Sequence, residues 1–79
     1  MKTNLDEIVQ EQIEKLSEAM IDRRMKLDYS QTELSEITGL TQPQTADVEK
    51  LKRMVKLDTL LKHITALNLE IQLVPKKFI

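Results

Sequence analysis

The single glycine of this chain, Gly39, stands between two stretches that both open like helices, and this limits the fold more than any other feature. Ser30-Gln31-Thr32-Glu33 places a carboxylate three residues after a hydroxyl. That is a capping box, in which each side chain satisfies a backbone N–H near the other. The helix it opens, with Leu34 and Ile37 expected inside, should stop at Gly39, because glycine takes the left-handed C-cap conformation without a Cβ penalty. Thr41-Gln42-Pro43-Gln44 then repeats the signal at once. Pro43 is harmless there, since first-turn N–H groups have no intrahelical acceptor. Ala46, Val48 and Leu51 supply the buried side of this helix. Two short helices with a glycine at their joint describe a helix-turn-helix, here residues 30–51.

Asn4, with Glu7 in capping-box position, opens an earlier helix. Along it Leu5, Ile8, Val9, Ile13, Leu16, Met20 and Ile21 recur at steps of three and four, which predicts one buried stripe. The pattern exits through Lys26-Leu27-Asp28-Tyr29; its length also allows a break near residues 16–18. A further helix covers about 57–67, with Leu60, Leu61, Ile64 and Leu67 apolar and Asn68 at a left-handed C-cap position.

The end of the chain changes period. Leu69-Glu70-Ile71-Gln72-Leu73 alternates strictly, the repeat of a half-buried strand over residues 69–74. A lone strand must still pair its backbone N–H and C=O groups. The simplest partner is the same strand of a second copy, which would bury Leu69, Ile71 and Leu73; the competing reading is a frayed tail. The expected fold is therefore all-α, a single domain over residues 1–79 with four to five helices and a short C-terminal β-strand pairing across a homodimer.

Size and composition point the same way. A domain of 79 residues buries too little surface to be secure alone and usually adds a disulfide, a metal or a partner subunit. There is no cysteine, and His63 is the one histidine, so neither a disulfide nor a zinc site is expected and oligomerisation is left. His63, between Lys62 and Ile64 on a helix, reads as a partly exposed packing residue. No apolar run approaches the roughly 20 residues that span a bilayer, and nothing resembles a signal peptide, so a cytoplasmic location without membrane contact is expected. With one glycine there is no phosphate-cradling loop, and no catalytic grouping is evident, so neither an enzyme nor a cofactor is expected. Residues 1–19 carry two lysines against five acids, whereas residues 41–79 carry seven Lys and Arg against four acids. One face suited to a polyanion is one reading of that asymmetry; ordinary surface charge is the other.

The chain resembles the Xre family of bacterial and phage regulators, the Cro/C1-type helix-turn-helix. The resemblance covers about residues 20–74. It rests on Arg24, Tyr29-Ser30-Gln31-Thr32-Glu33-Leu34, Thr38-Gly39-Leu40-Thr41-Gln42, Val48-Glu49-Lys50 and Leu57-Asp58-Thr59-Leu60-Leu61. It implies a reading helix whose first residues meet base edges in the major groove. Carried over, that places Gln42, Gln44 and Thr45 at the DNA, with Thr41 opening the helix. A glutamine can pair bidentately with adenine, and a threonine can meet a thymine methyl or a phosphate. Ser30 and Gln31 would present helix N-terminal N–H groups to a phosphate, and Lys50, Lys52, Arg53 and Lys56 would follow the flanking backbone. The resemblance also implies an ion pair between Arg24 and Glu49 that holds the reading helix. Leu51 and Val55 stand where the family has glycine and proline, so the segment after Glu49 should be helical or packed differently. Asp47 falls at an outward position of the reading helix, where phosphate would repel it.

Three functions follow. The first is a dimeric repressor on a palindromic operator in double-stranded DNA. The second is an antitoxin that represses its own operon and neutralises a toxin, since the closing strand looks most like the HipB-like and HigA-like antitoxins. The third is a helix-turn-helix that has lost DNA binding, for which Asp47 is the argument. The antitoxin reading is preferred, with a stand-alone transcriptional regulator as its alternative. For the toxin, the acidic first helix with Asp6, Glu7, Glu11, Glu14 and Glu18 is the expected contact, on the pole opposite the basic face.

Overall fold

Helix starts fall at the three side-chain caps. In the computed structural model, which describes residues 4–52 and 54–78, Asn4 Oδ1 accepts from the Glu7 N–H at 3.2 Å and opens α1 (Leu5–Lys26). Complete capping boxes open α2 (Gln31–Thr38) at Ser30 and α3 (Gln42–Lys50) at Thr41. Gly39, at φ 78°, closes α2 in the left-handed region. A fourth helix, α4 (Leu57–Ala66), ends before Asn68, which is left-handed at φ 57°. The described residues are thus helical in four segments, as expected of a helix-turn-helix domain.

Met20 of α1, Leu34 of α2, Ile64 of α4 and Leu67 form the buried core, with Leu16, Leu27, Tyr29, Leu51 and Leu60 packed around it. α3 packs on α1, α2 and α4, so it is held from three sides.

Several expectations need correction. α1 runs unbroken for 22 residues, about 33 Å at 1.5 Å per residue, so there is no break at residues 16–18. Its apolar stripe is buried only toward the C-terminal end. Leu5 and Val9 remain 55% and 49% exposed, because no other described helix extends along α1 as far as these residues. Ile37 is exposed as well: α2 is only eight residues long, and Leu34 alone takes its place in the core.

Leu51 caps α3 in the left-handed conformation, φ 51°, where the family pattern has glycine. A side chain there costs on the order of 1–2 kcal/mol, and packing of Leu51 against the core offsets it. The segment after it is therefore not helical: residues 52 and 54–56 have no regular structure.

The strand expected over residues 69–74 is not formed either. Among the described residues there is no strand, and residues 69–78 are exposed. The physical reason is that a ladder needs a second strand, and the described residues supply none. No described helix is long and apolar enough to cross a membrane.

Candidate nucleic-acid interface

The N-termini of α2 and α3 carry most of the residues expected at DNA, and their capping boxes decide what each can offer. At α2, Ser30 Oγ accepts from the Glu33 N–H at 3.0 Å and Glu33 Oε1 accepts from the Ser30 N–H at 3.2 Å. The next two amides, of Gln31 and Thr32, have no intrahelical acceptor and form the kind of positive end that binds a phosphate. At α3, Thr41 Oγ1 accepts from the Gln44 N–H at 3.2 Å and Gln44 Oε1 accepts from the Thr41 N–H at 2.9 Å. Pro43 has no N–H, so Gln42 supplies the one first-turn amide left.

This bonding divides the expected base readers. Gln42 is exposed, and its amide group is free of the cap. Gln44 is exposed too, but its carbonyl oxygen belongs to the cap, and bidentate pairing with adenine would need that oxygen. Thr45 must be removed from the contact set. It is 0% exposed, and its hydroxyl donates to the Thr41 carbonyl at 3.0 Å. The signal was present in the spacing: Thr45, Val48 and Glu49 share one helical face, and all three are buried. Lys50, the last residue of α3, and Lys52 just beyond it are exposed, where side chains can reach a phosphate backbone. Arg53 lies outside the described residues.

Asp47 is half-buried rather than fully outward. It lines a cleft with Gln44, Val48, Met54, Val55, Lys56 and Thr59.

Behind this surface sits the ion pair. Arg24 Nε donates to Glu49 Oε2 at 2.6 Å and Nη2 donates to Oε1 at 3.0 Å, a bidentate fork from α1 onto α3. Arg24 Nη1 also donates to the Tyr29 carbonyl at 2.9 Å. The hydrogen bond to Glu49 raises the guanidinium pKa above its ordinary value; burial opposes this, and the charge of Glu49 adds to it. Gln31 Nε2 donates to Glu49 Oε1 at 3.3 Å. Its side chain thus ties α2 to α3, while its backbone N–H stays at the helix end.

Two positioning contacts were not read from the sequence. Ser17 Oγ donates to the Glu49 carbonyl at 2.7 Å, and Arg23 Nε donates to the Leu67 carbonyl at 3.0 Å. Both satisfy carbonyls at helix C-terminal ends, which have no intrahelical donor. Ser17 and Arg24, seven residues apart, lie near two helical turns and share the face of α1 that holds α3, whereas Arg23 lies about 120° round the helix and reaches the end of α4. The seven-residue spacing was the available signal for the first of these.

The acidic helix is not on the opposite pole. Glu14 and Glu18 line a cleft with Gln10, Ile13, Ser17, Lys50, Leu51 and Lys52. Only the earlier acids, Asp6, Glu7 and Glu11, lie clear of that cleft. His63 also departs from expectation: it is 0% exposed rather than partly exposed, because it shares its helix face with Leu60 and Leu67.

Residues 20–74 match the profile of the helix-turn-helix family. No curated protein and no solved structure matches the chain.

Proposed function

The chain belongs to the Cro/C1-type helix-turn-helix family, whose members bind DNA and regulate transcription, and from that premise we propose that it is a homodimeric repressor and the antitoxin of a toxin–antitoxin operon. The observation that carries the DNA reading is the paired presentation of two capped helix N-termini, with Gln42 free at the second and Lys50 and Lys52 exposed beyond it. In this reading Gln42 reads bases, the Gln31 and Thr32 amides hold a phosphate, and the lysines follow the flanking backbone. The chain is not an enzyme and needs no cofactor for this.

Dimerisation is supported by what the single chain leaves unburied. Leu69, Ile71 and Leu73 are exposed, and Leu73 is 94% exposed. The tail leaves from Asn68 at the mouth of a groove of about 710 Å³, walled by Tyr29, Ile37, Leu61 and Ala66. Strand pairing about a two-fold would satisfy the tail backbones, and the groove gives the partner's apolar side chains a floor. A dimer that binds two half-sites of a palindromic operator must hold its two reading helices about 34 Å apart, one turn of duplex.

The toxin reading is supported by the first half of α1. It precedes the family match, and it exposes Leu5 and Val9 beside Asp6, Glu7 and Glu11. An apolar strip flanked by acids suits a partner with a basic surface and speeds encounter with it.

An electrophoretic shift with DNA from upstream of the protein's own gene tests the function. The wild-type chain should shift it at nanomolar to micromolar concentration, and no shift beyond that of unrelated DNA would sink the reading. The combined change Glu7→Lys and Glu11→Lys should leave the shift unaltered and abolish neutralisation of a toxin encoded next to the gene. Undiminished protection by that variant would move the toxin contact elsewhere.

A further inference from the structure

His63 is fully buried on α4, and neither Nδ1 nor Nε2 has a hydrogen-bond partner. A neutral imidazole carries one N–H donor and one acceptor, so this ring buries both without compensation. An apolar side chain of similar size would fill the same space without that cost. Its helix, α4, packs against α3. Two charged groups act on it: Glu49 of α3 favours the imidazolium and Arg24 of α1 opposes it. No carboxylate of α2 is buried against it, because Glu33 and Glu36 are exposed, and Asp58 and Lys62 of its own helix are exposed too.

We infer that His63 is a proton-sensitive latch on the DNA-binding fold: proton uptake by its imidazole loosens the packing of α3 against α1 and α4 and releases the operator. The inference rests on the DNA-binding reading for its consequence, but not for its physics. An imidazolium at this position would be a fully buried cation with no hydrogen-bond acceptor among the described residues, and Glu49, the carboxylate whose charge favours it, already spends both oxygens on Arg24. The folded chain can accept the proton only by opening the site or by drawing Glu49 away from Arg24. Either change frees α3 from the contact that fixes its angle.

The direction in pH follows from the same geometry. Burial lowers the His63 pKa below the ordinary 6.5, and the nearby Glu49 charge only partly restores it. Between that lowered value and 6.5 the unfolded chain binds the proton and the folded chain does not, so stability rises with pH. Stability is complete above about pH 7 and is lost as the pH falls through 6.5. Histidine is the side chain whose ordinary charge change lies between pH 5 and 8. His63 is the one histidine in the sequence, so the response in that window has a single source.

The test is urea unfolding of the full chain at intervals from pH 5.0 to 7.5, for the wild type, His63→Leu and His63→Gln. Operator binding is measured at the same pH values, and the His63 ring proton is followed by NMR. The wild-type unfolding equilibrium should shift by up to about tenfold per pH unit below 6.5, operator affinity should fall at the acid end of the range, where the folded ring itself takes up the proton, and both replacements should be flat. His63→Gln keeps a polar side chain that does not titrate, so it decides the matter if the leucine variant misfolds. A wild-type slope that survives in both replacements, or a flat wild-type profile, overturns the inference. So does a stability slope with unchanged operator affinity. Absence of operator binding at every pH would instead count against the DNA reading, and the unfolding slope would still decide the latch.

Discussion

Replacing Glu49 with alanine should cost up to about 3–5 kcal/mol of folding stability, the expense of leaving a largely buried guanidinium without its counter-ion. Chains of this length are ordinarily stable by only about 4–12 kcal/mol, so the variant should lie close to the unfolding threshold. Glu49 is 2% exposed and holds Arg24 through two bonds and Gln31 through a third. Its removal therefore loosens α1, α2 and α3 together. Replacing both Arg24 and Glu49 with methionine should recover most of the loss, because an apolar pair of similar volume fills the site without an orphaned charge. Urea denaturation of the two single variants and the double variant measures this. A cost for Glu49→Ala below about 1 kcal/mol, the range of an exposed pair, would show that the fork does not hold the fold.

The second large effect is expected from removing residues 69–79. If the tails join two copies, the shortened chain should sediment as a monomer. Its affinity for a two-half-site operator should drop by a hundredfold or more, because linked binding of two modules commonly contributes factors of about 10²–10⁴. Affinity for an isolated half-site should change little, since the tail is remote from Gln42 in the chain and forms no part of α3. Sedimentation of the shortened chain as a stable dimer would place the contact elsewhere. The groove walled by Ile37 and Leu61 would then be the next surface to test.

What the sequence made legible was mostly local. Asn4, Ser30 and Thr41 are caps because of residues three positions away, and Gly39 and Asn68 are left-handed because of their own backbone preferences. Such features need no tertiary knowledge. The Arg24–Glu49 pair joins residues 25 apart and was accessible only through resemblance to a family. Burial was harder. Periodicity groups Leu5, Val9, Met20 and Ile21 on one stripe, but it cannot say how far along α1 the neighbouring helices extend. The stripe is therefore buried at Met20 and bare at Leu5.

The site shows the same division. Gln42 could be placed at the start of the reading helix from its neighbours alone. Thr45 and His63 depart from expectation because their helical phase, not their residue type, sets their burial. A threonine near a helix start reads as a contact, and a lone histidine reads as partly exposed, yet each shares its face with buried neighbours. Ser17 and Arg23 bond to carbonyls of distant helices, Glu49 and Leu67, and these bonds exist only once α3 and α4 are docked. The acids of α1 were separated from the lysines by charge counting along the chain. Folding brings Glu14 and Glu18 beside Lys50 and Lys52.

The central claim is that the start of α3 reads bases while the residues after it hold phosphate. Binding to a panel of operators, each with one base pair changed, measures this for the wild type, Gln42→Ala and Lys52→Ala over a range of salt. Gln42→Ala should weaken the preferred operator by about 1–3 kcal/mol and level the panel at one position of each half-site. Lys52→Ala should weaken every member of the panel alike and reduce the salt slope by about one. Equal loss across the panel for both variants, or an unchanged preference in Gln42→Ala, would contradict base reading by this helix.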